Sequence, residues 1–575
     1  MTNRPPTMTD PKTTRRFLPA DLEVGGWSDI RPYFEELAQR SLDGPDDLDA
    51  WVLDLAELSA VLSEDAGWRY IRTSVDTTDE AARDALQTFH AEIAPKMQEA
   101  MHELNQKLDG SPFRDTLPDT LRNFVRGVAI QIRLFREENV EIEKAMNLKT
   151  QEYARITGDW SIEWDGEEFT MQQASTFLER RDRDVRRAVY DRMATRRGED
   201  IGRLDDLLDE LVAMRHELAR NADFDTYRDY KHTDLQRLDY TPADAVAFDE
   251  SLVAVLPEYA RRMDEMRQEL LDLDQLKPWD MAVDPFGDAP LRPFDGTEQM
   301  MERSVEVFGR VDPYFADCLR TMDEMGHLDL ESRRGKAPGG FNMPLGETGV
   351  PFIFMNHANS EGDIRVIMHE GGHAVHSFLS GDLRTVFEKR PPSEVNELAS
   401  MAMELFTMKH WDVFYPDPDH LRRAKRNHLM GILRILPSVA KGDLFQHWMY
   451  LNPEHSAAER QAEWVRLSDA IGSGLVDHSD HPATYAAGYQ RILHFYQVPF
   501  YYIEYGMAQL GALALWRNYE ADPDATIEAY KKALRLGYSA PIGEIYEAAG
   551  IRFDFSEVTI RELVDHLWSH IEELA

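Results

Sequence analysis

The chain has 575 residues, which is too many for one ordinary core and suggests either two to four packing units or one large enzyme body with an attached subdomain. The 43% apolar fraction is enough to build that core, so the chain is not generically disordered. With 104 Asp and Glu against 64 Lys and Arg the net charge is −40, which argues strongly against a nucleic-acid binder and also against docking on anionic membranes.

The basic residues are 50 Arg and only 14 Lys. An acidic, Lys-poor surface is open to two readings, adaptation to high salt and a codon bias toward Arg. Cys318 is the one cysteine, so no intrachain disulfide and no cysteine-based metal site can form. Any metal must sit on His, Asp or Glu.

Residues 1–20 are polar, with Pro5, Pro6 and the pair Arg15-Arg16, and are expected to be a flexible tail. The first 22 residues contain no apolar stretch of signal-peptide length, and no run of 18 apolar residues occurs. Tyr501 to Trp516 comes nearest but carries Glu504 and Gln509. The expected address is cytoplasmic, with no membrane partner.

Residues 21–200 read as an N-terminal helical region. Asp46 to Glu64 places Leu48, Trp51, Leu53, Leu55, Leu58 and Leu62 broadly on one side. The helical pattern continues over Asp79 to Leu108 and Pro118 to Glu138. Trp160 to Thr170 alternates around Asp165-Gly166, which predicts a hairpin. Residues 201–575 read as the functional region, with a core about 335–575. Helices are expected over Asp182 to Asp223, Pro242 to Leu273 and Gly296 to Met325. The proline-bearing stretch Asp274 to Phe294 is a candidate joint, and no internal repeat is present. A Gly-rich loop, Gly335 to Gly349, leads into the short apolar run Val350 to Met355, which predicts a strand.

Val366 to Leu379 reads VIMHEGGHAVHSFL and contains His369-Glu370-Gly371-Gly372-His373. On a helix, residues four apart share a face, so both imidazoles can reach one ion. Glu370 lies about 100° round and can address a water at that ion without ligating it. Read alone, the pattern also fits a helix with two surface histidines. The glycine pair argues otherwise: each costs about 1 kcal/mol relative to alanine in a helix, so a backbone or ligand is expected to approach closely. Asp363 near the start of this helix is open to two readings, a group that caps the helix or holds a ligating histidine and a plain N-terminal acid.

A zinc site needs a third protein ligand. A histidine ten residues after His369 would supply it in one pattern, but Leu379 stands there. Pro391-Pro392-Ser393 starts a helix that offers Glu394, Glu397 and Glu404. Glu394 falls in the first turn, where it complements the helix dipole. Glu397 is the favoured ligand, and Glu404 is read either as bracing a ligating histidine or as an ordinary packed carboxylate. Farther on, Pro499 is expected to start a helix carrying Tyr501, Tyr502 and Tyr505. These tyrosines and His494 could donate to an oxyanion, or simply pack. Asp477 to His481 reads as an exposed loop.

HEGGHAVH followed by ELASMAME resembles the thimet oligopeptidase and oligoendopeptidase F family of zinc peptidases, whose pattern is HExGHxxH with a ligand Glu some 25 residues on. His376 matches the trailing histidine. Phe169 to Arg192, Gly339 to Asn356 and His494 to Trp516 resemble the family's helical lead-in, Gly-rich loop with edge strand, and tyrosine-rich segment. The resemblance implies a mainly α zincin-type metallopeptidase, a helical ellipsoid with a deep channel between two halves and a small sheet near the histidine helix. It implies one Zn²⁺ on His369, His373 and Glu397, with Glu370 as general base. His494, Tyr502 and Tyr505 become transition-state donors, with Tyr501 competing for the place of Tyr502. Val350 to Asn356 is expected to be the edge strand to which an extended peptide adds. The expected activity is endopeptidase cleavage of short oligopeptides. A dipeptidyl-carboxypeptidase-like zinc exopeptidase and a non-catalytic peptide-binding protein are the alternatives.

Overall fold

The computed structural model describes residues 15–287 and 289–575. The chain forms two compact units, each assembled from three separate segments. The first takes Met1–Arg133, Leu291–Ala424 and Gly511–Phe553; the second takes Leu134–Pro290, Lys425–Leu510 and Asp554–Ala575. The expected boundary near residue 200 lies inside the second unit, and the expected joint at Asp274 to Phe294 contains a passage between units, at Pro290. Both units are mainly helical with small sheets. No helix among the described residues is long and apolar enough to cross a membrane.

In the first unit, residues 1–14 of the expected tail lie outside the described residues, and from Arg15 on the chain is pinned. The Arg15 guanidinium grips Glu347 at 2.6 and 2.9 Å, and Glu57 accepts the backbone N–H groups of Phe17 and Leu18. The helix expected from Asp46 to Glu64 runs over Pro45–Val75. Pro45 sits where no intrahelical N–H is needed, and Asp46 and Asp47 complement the helix N-terminus. Its buried Leu48, Trp51, Leu55 and Leu58 share a core with Phe34, Leu104 and Leu108.

Two expected helices are interrupted by proline. Asp79 to Leu108 becomes Glu80–Thr88 and Ala94–Asp109, joined by a π-helical turn, Phe89–Ile93. Pro95 has no N–H to give, and its ring crowds the carbonyl four residues back, so the chain widens there. Gly296 to Met325 splits into Gly296–Val311 and Pro313–Glu324 at Asp312, whose backbone is extended before Pro313 and whose side chain caps the second helix by accepting from the Tyr314 N–H.

Three strands make the sheet of this unit: β3 (Leu328–Glu331), β4 (Phe341–Met343) and β5 (Phe352–His357). Their order is β3-β5-β4, with β5 parallel to β3 and antiparallel to β4. This corrects the expected role of Val350 to Asn356. The apolar run is the central strand, paired on both sides, and a strand buried on both faces needs no alternation. The edge next to it is β4, which the Gly-rich loop supplies.

In the second unit, β1 (Ser161–Trp164) and β2 (Glu167–Thr170) form the expected hairpin. Asp165 and Gly166 take φ of 53° and 81°, as a two-residue turn that follows strand twist requires. Nearby, Asp280 is fully buried between Arg186 and Arg183, each 2.7 Å away. Arg186 is itself buried and also donates to the Trp279 carbonyl. Arg186→Met is therefore expected to cost about 3–5 kcal/mol, because it strands a buried carboxylate. Urea denaturation checks this; a loss below 1 kcal/mol would mean that Arg183 alone satisfies Asp280.

Candidate metal centre

The histidine helix spans Glu361–Leu379. Asp363 decides its start: one carboxylate oxygen accepts from the Ser360 N–H at 2.7 Å, the Ser360 hydroxyl at 2.9 Å and the Ala358 N–H at 2.9 Å. Asp363 thus caps the helix and is spent on that task. The glutamate helix, Ser393–Met408, begins after Pro392 as the proline pair predicts, and most of it is buried.

The two helices meet backbone to backbone. A Cβ on Gly372 would lie 2.6 Å from the Ser400 Cα and 2.9 Å from the Ala399 carbonyl oxygen. A Cβ on Gly371 would lie 2.5 Å from the Phe308 ring. The glycine pair is the solution to two close approaches, one of backbone and one of an aromatic ring.

This contact brings the ligand candidates together. One donor atom each of His369, His373 and Glu397 falls within 4.8 Å of the others. His369 Nε2 is 3.3 Å from Glu397 Oε2, and the two imidazole rings stand 4.8 Å apart at 87°. The other nitrogen of His369, Nδ1, is 2.7 Å from Glu404 Oε1. Glu404 is therefore engaged with the His369 ring. With Nδ1 held by Glu404, Nε2 is the ring nitrogen that faces Glu397 and could serve an ion once its proton is displaced. Ser400 Oγ lies 3.4 Å from Glu397 Oε2, on the same helix. Glu394 is buried in the first turn, outside this donor group.

Two nitrogen donors and one carboxylate oxygen are the set that a catalytic zinc takes, with a coordination position left for water. The electrostatics fit a cation here. Burial opposes a charged His369, yet hydrogen bonds to Glu397 and Glu404 outweigh it and hold its pKa well above the usual value. Burial, then the neighbouring His369, lowers His373 to about 4. Burial lifts Glu370 to about 7, with Glu397 and Glu404 adding to the rise. His376 is buried behind the donor group, its Nε2 has no hydrogen-bond partner, and desolvation lowers its pKa to about 3.

Glu404→Gln is expected to weaken Zn²⁺ binding about 10- to 100-fold, because the amide cannot accept the His369 proton as strongly. Competition against a chromogenic chelator measures this; unchanged affinity would show that Glu404 does not orient the ring.

One contact at the site has no signal in periodicity. Asn342, on the edge strand β4, donates through its side-chain amide to the Glu370 carbonyl at 3.1 Å. The sheet edge is thereby tied to the residue beside the donor group.

His494, Tyr501, Tyr502 and Tyr505 all belong to the second unit and form one cluster. The His494 ring lies 5.0 Å from Tyr502, 6.0 Å from Tyr505 and 6.3 Å from Tyr501. The expected helix start at Pro499 is corrected: the helix is Tyr502–Ala521, and Phe500 before it has a φ of 66°. A left-handed phenylalanine is strained, and long-range contacts over-determine it. Its N–H donates to Gln446 at 2.7 Å, and its carbonyl accepts from Arg237, which pairs with Glu504 at 2.9 Å. Tyr501 thus precedes the helix, while Tyr502 and Tyr505 lie one turn apart on it. Burial raises the Tyr502 pKa and lowers that of His494, so both are neutral donors near pH 7. At Asp477 to His481, Lys277 binds Asp477 and Asp480 while His481 holds Asp191 at 2.7 Å, a tie within the unit.

Comparison with known proteins bears on what this arrangement is. Residues 17–135 match the peptidase M3 N-terminal domain, and residues 176–565 match the peptidase family M3. The chain is 20% identical over 305 residues to an oligoendopeptidase F homolog of Mycoplasma pneumoniae, covering 50% of this chain and 48% of that protein. It is 21% identical over 300 residues to the oligopeptidase PepF of Bacillus subtilis, covering 50% of this chain and 42% of that one. The chain thus spans about half the length of the curated relatives it matches. A solved structure of Pz peptidase A with an inhibitor superposes with a TM-score of 0.88 at 26% identity, covering 97% of this chain and 99% of that one. The family match takes in the histidine helix, the glutamate helix and the tyrosine segment together, and on that extent the chain belongs to peptidase family M3.

Proposed function

We propose that the protein is a zinc-dependent endopeptidase that cleaves internal bonds of short, unstructured oligopeptides in the cytoplasm. The observation that carries this reading is the convergence of His369, His373 and Glu397 beside a buried Glu370. The three converging residues would hold Zn²⁺, which supplies Lewis acidity and lowers the pKa of water to about 7.

The remaining roles fall to the chain itself. Glu404 keeps the His369 ring in one tautomer and orientation. Glu370 takes a proton from the water that attacks the scissile carbonyl, and gives it to the leaving amine as the C–N bond breaks. Its pKa near 7 suits a group that must do both. His494 and the phenols of Tyr502 and Tyr505 are the proposed donors to the oxyanion, with Tyr501 the competitor for Tyr502; each donor contributes on the order of 2–4 kcal/mol when preorganised. The outer edge of β4 is the proposed acceptor for an extended substrate, in place of Val350 to Asn356, and Asn342 links that edge to Glu370.

A peptide blocked at both ends tests the reading. Internal cleavage is expected, lost on chelation and restored by about one equivalent of Zn²⁺. Cleavage only of peptides with an open carboxyl terminus would favour the exopeptidase alternative, and no hydrolysis of any peptide would favour a binding protein.

A further inference from the structure

The core of the second unit holds a second group of donors, which the proposed chemistry does not use. Asp249 lies on the helix Pro242–Leu270, and Asp443 and His447 lie on Pro418–Leu451. Asp443 and His447 are four residues apart, so they share a face. Asp249 and Asp443 are 0% exposed and His447 is 5% exposed. His447 Nε2 is 3.1 Å from Asp443 Oδ2, and one donor atom of each of the three residues lies within 4.8 Å of the others. The two carboxyl groups lie against one another, and burial and then Asp443 hold the Asp249 pKa well above the usual carboxylate range; beyond each other and the His447 contact neither has a hydrogen-bond partner, and His447 Nδ1 has none.

Such burial is expensive. A carboxylate removed from water costs several kcal/mol unless something compensates it, and here two face one another. The cationic neighbour is Arg237, but it is paired with Glu504 at 2.9 Å and also binds the Phe500 carbonyl. Its charge is largely spent on Glu504. Glu250, next along the helix, is exposed, and burial holds His232 neutral, with a pKa near 4. Two buried carboxyl groups therefore face one imidazole, a set of two oxygen donors and one nitrogen donor that a divalent cation fits. Ligands about 2.1 Å from one ion stand roughly 3–4 Å apart, close to the spacing already present.

We infer that Asp249, Asp443 and His447 form a second divalent-cation site, separate from the histidine helix, that binds Zn²⁺ or Mn²⁺ through two carboxylate oxygens and one imidazole nitrogen. Two hard oxygens and one nitrogen suit either ion. Complete burial gives the site a structural role. It would join the two helices and brace the left-handed turn at Phe500, whose ring packs 5.3 Å from the His447 ring.

Metal content of the full-length protein tests this. Protein equilibrated with Zn²⁺, and separately with Mn²⁺, is dialysed and the ions per chain are counted. Asp443→Asn and His447→Gln are each expected to lose one ion relative to wild type. Glu397→Ala loses one by a different route, and the double variant Glu397→Ala with Asp443→Asn retains none. Because the difference made by Glu397→Ala reads the first site alone, failure of either site is seen separately. Asp443→Asn with the wild-type ion count would overturn the inference. Should the variants not fold, wild-type crystals in Mn²⁺ decide: an anomalous peak beside His447 supports the site, and a peak at the histidine helix with none beside His447 overturns it.

Discussion

Glu370→Gln is expected to lower kcat for peptide hydrolysis about 100- to 10,000-fold with little change in KM, since the amide keeps the shape of the carboxylate but cannot take a proton. The substitution is informative because the residue is so confined. Glu370 is 9% exposed, so the side chain has little room to adopt a different role. Metal content measured on the same samples separates loss of the base from loss of the site. Zinc at the wild-type level with hydrolysis near background is the expected pair of results. Hydrolysis above a tenth of wild type with the ion retained would remove Glu370 from the mechanism.

Gly372→Ala is expected to damage both the stability of the first unit and its donor group. The added carbon would sit 2.6 Å from the Ser400 Cα, and backbone cannot swing aside as a side chain can. Overpacking of a core costs about 1–3 kcal/mol when side chains can adjust, so the upper end of that range or beyond is expected here. The damage extends to the chemistry. Glu397 lies one turn before Ser400, so separating the helices moves the carboxylate away from His373. Lower urea midpoints and weaker Zn²⁺ binding should appear together. Gly202→Ala is the control, since a Cβ there meets nothing within 4 Å, and in a helix it should be neutral or slightly stabilising. Equal behaviour of the two variants would show that the helix contact is not tight.

The donor group was legible because its information is local. His369 and His373 are one helical turn apart, Pro391-Pro392-Ser393 announces the helix that carries Glu397 and Glu404, and paired glycines in a helix ask for a close neighbour. The features that were not legible depend on distant partners. An apolar run such as Val350 to Met355 encodes a buried strand but not which strands flank it, so its central place had to come from the structure. Pro95 and Pro313 were visible, yet the helical pattern on either side of each read as continuous. Phe500 gives no hint of a left-handed backbone, because Gln446 and Arg237 impose it from far along the chain. The pairing of Asp280 with Arg186 across 94 residues is equally silent in either local segment.

The three-segment construction of the first unit bears on how the chain is made. Asn123 donates to the carbonyls of Tyr538 and Ala540, and the Tyr530 hydroxyl to that of Ala399, so the last segment closes contacts opened by the first two. Between Arg133 and Gly511 lie 377 residues that must be synthesised first. At about 5–20 residues per second this is a wait of roughly 20 to 80 s. During that interval the apolar surface destined for the closing segment is exposed on the ribosome. Newly made chains are therefore most vulnerable to aggregation and proteolysis before residue 511 emerges, and a truncation that removes Gly511–Phe553 should leave the first unit, histidine helix included, without a stable fold.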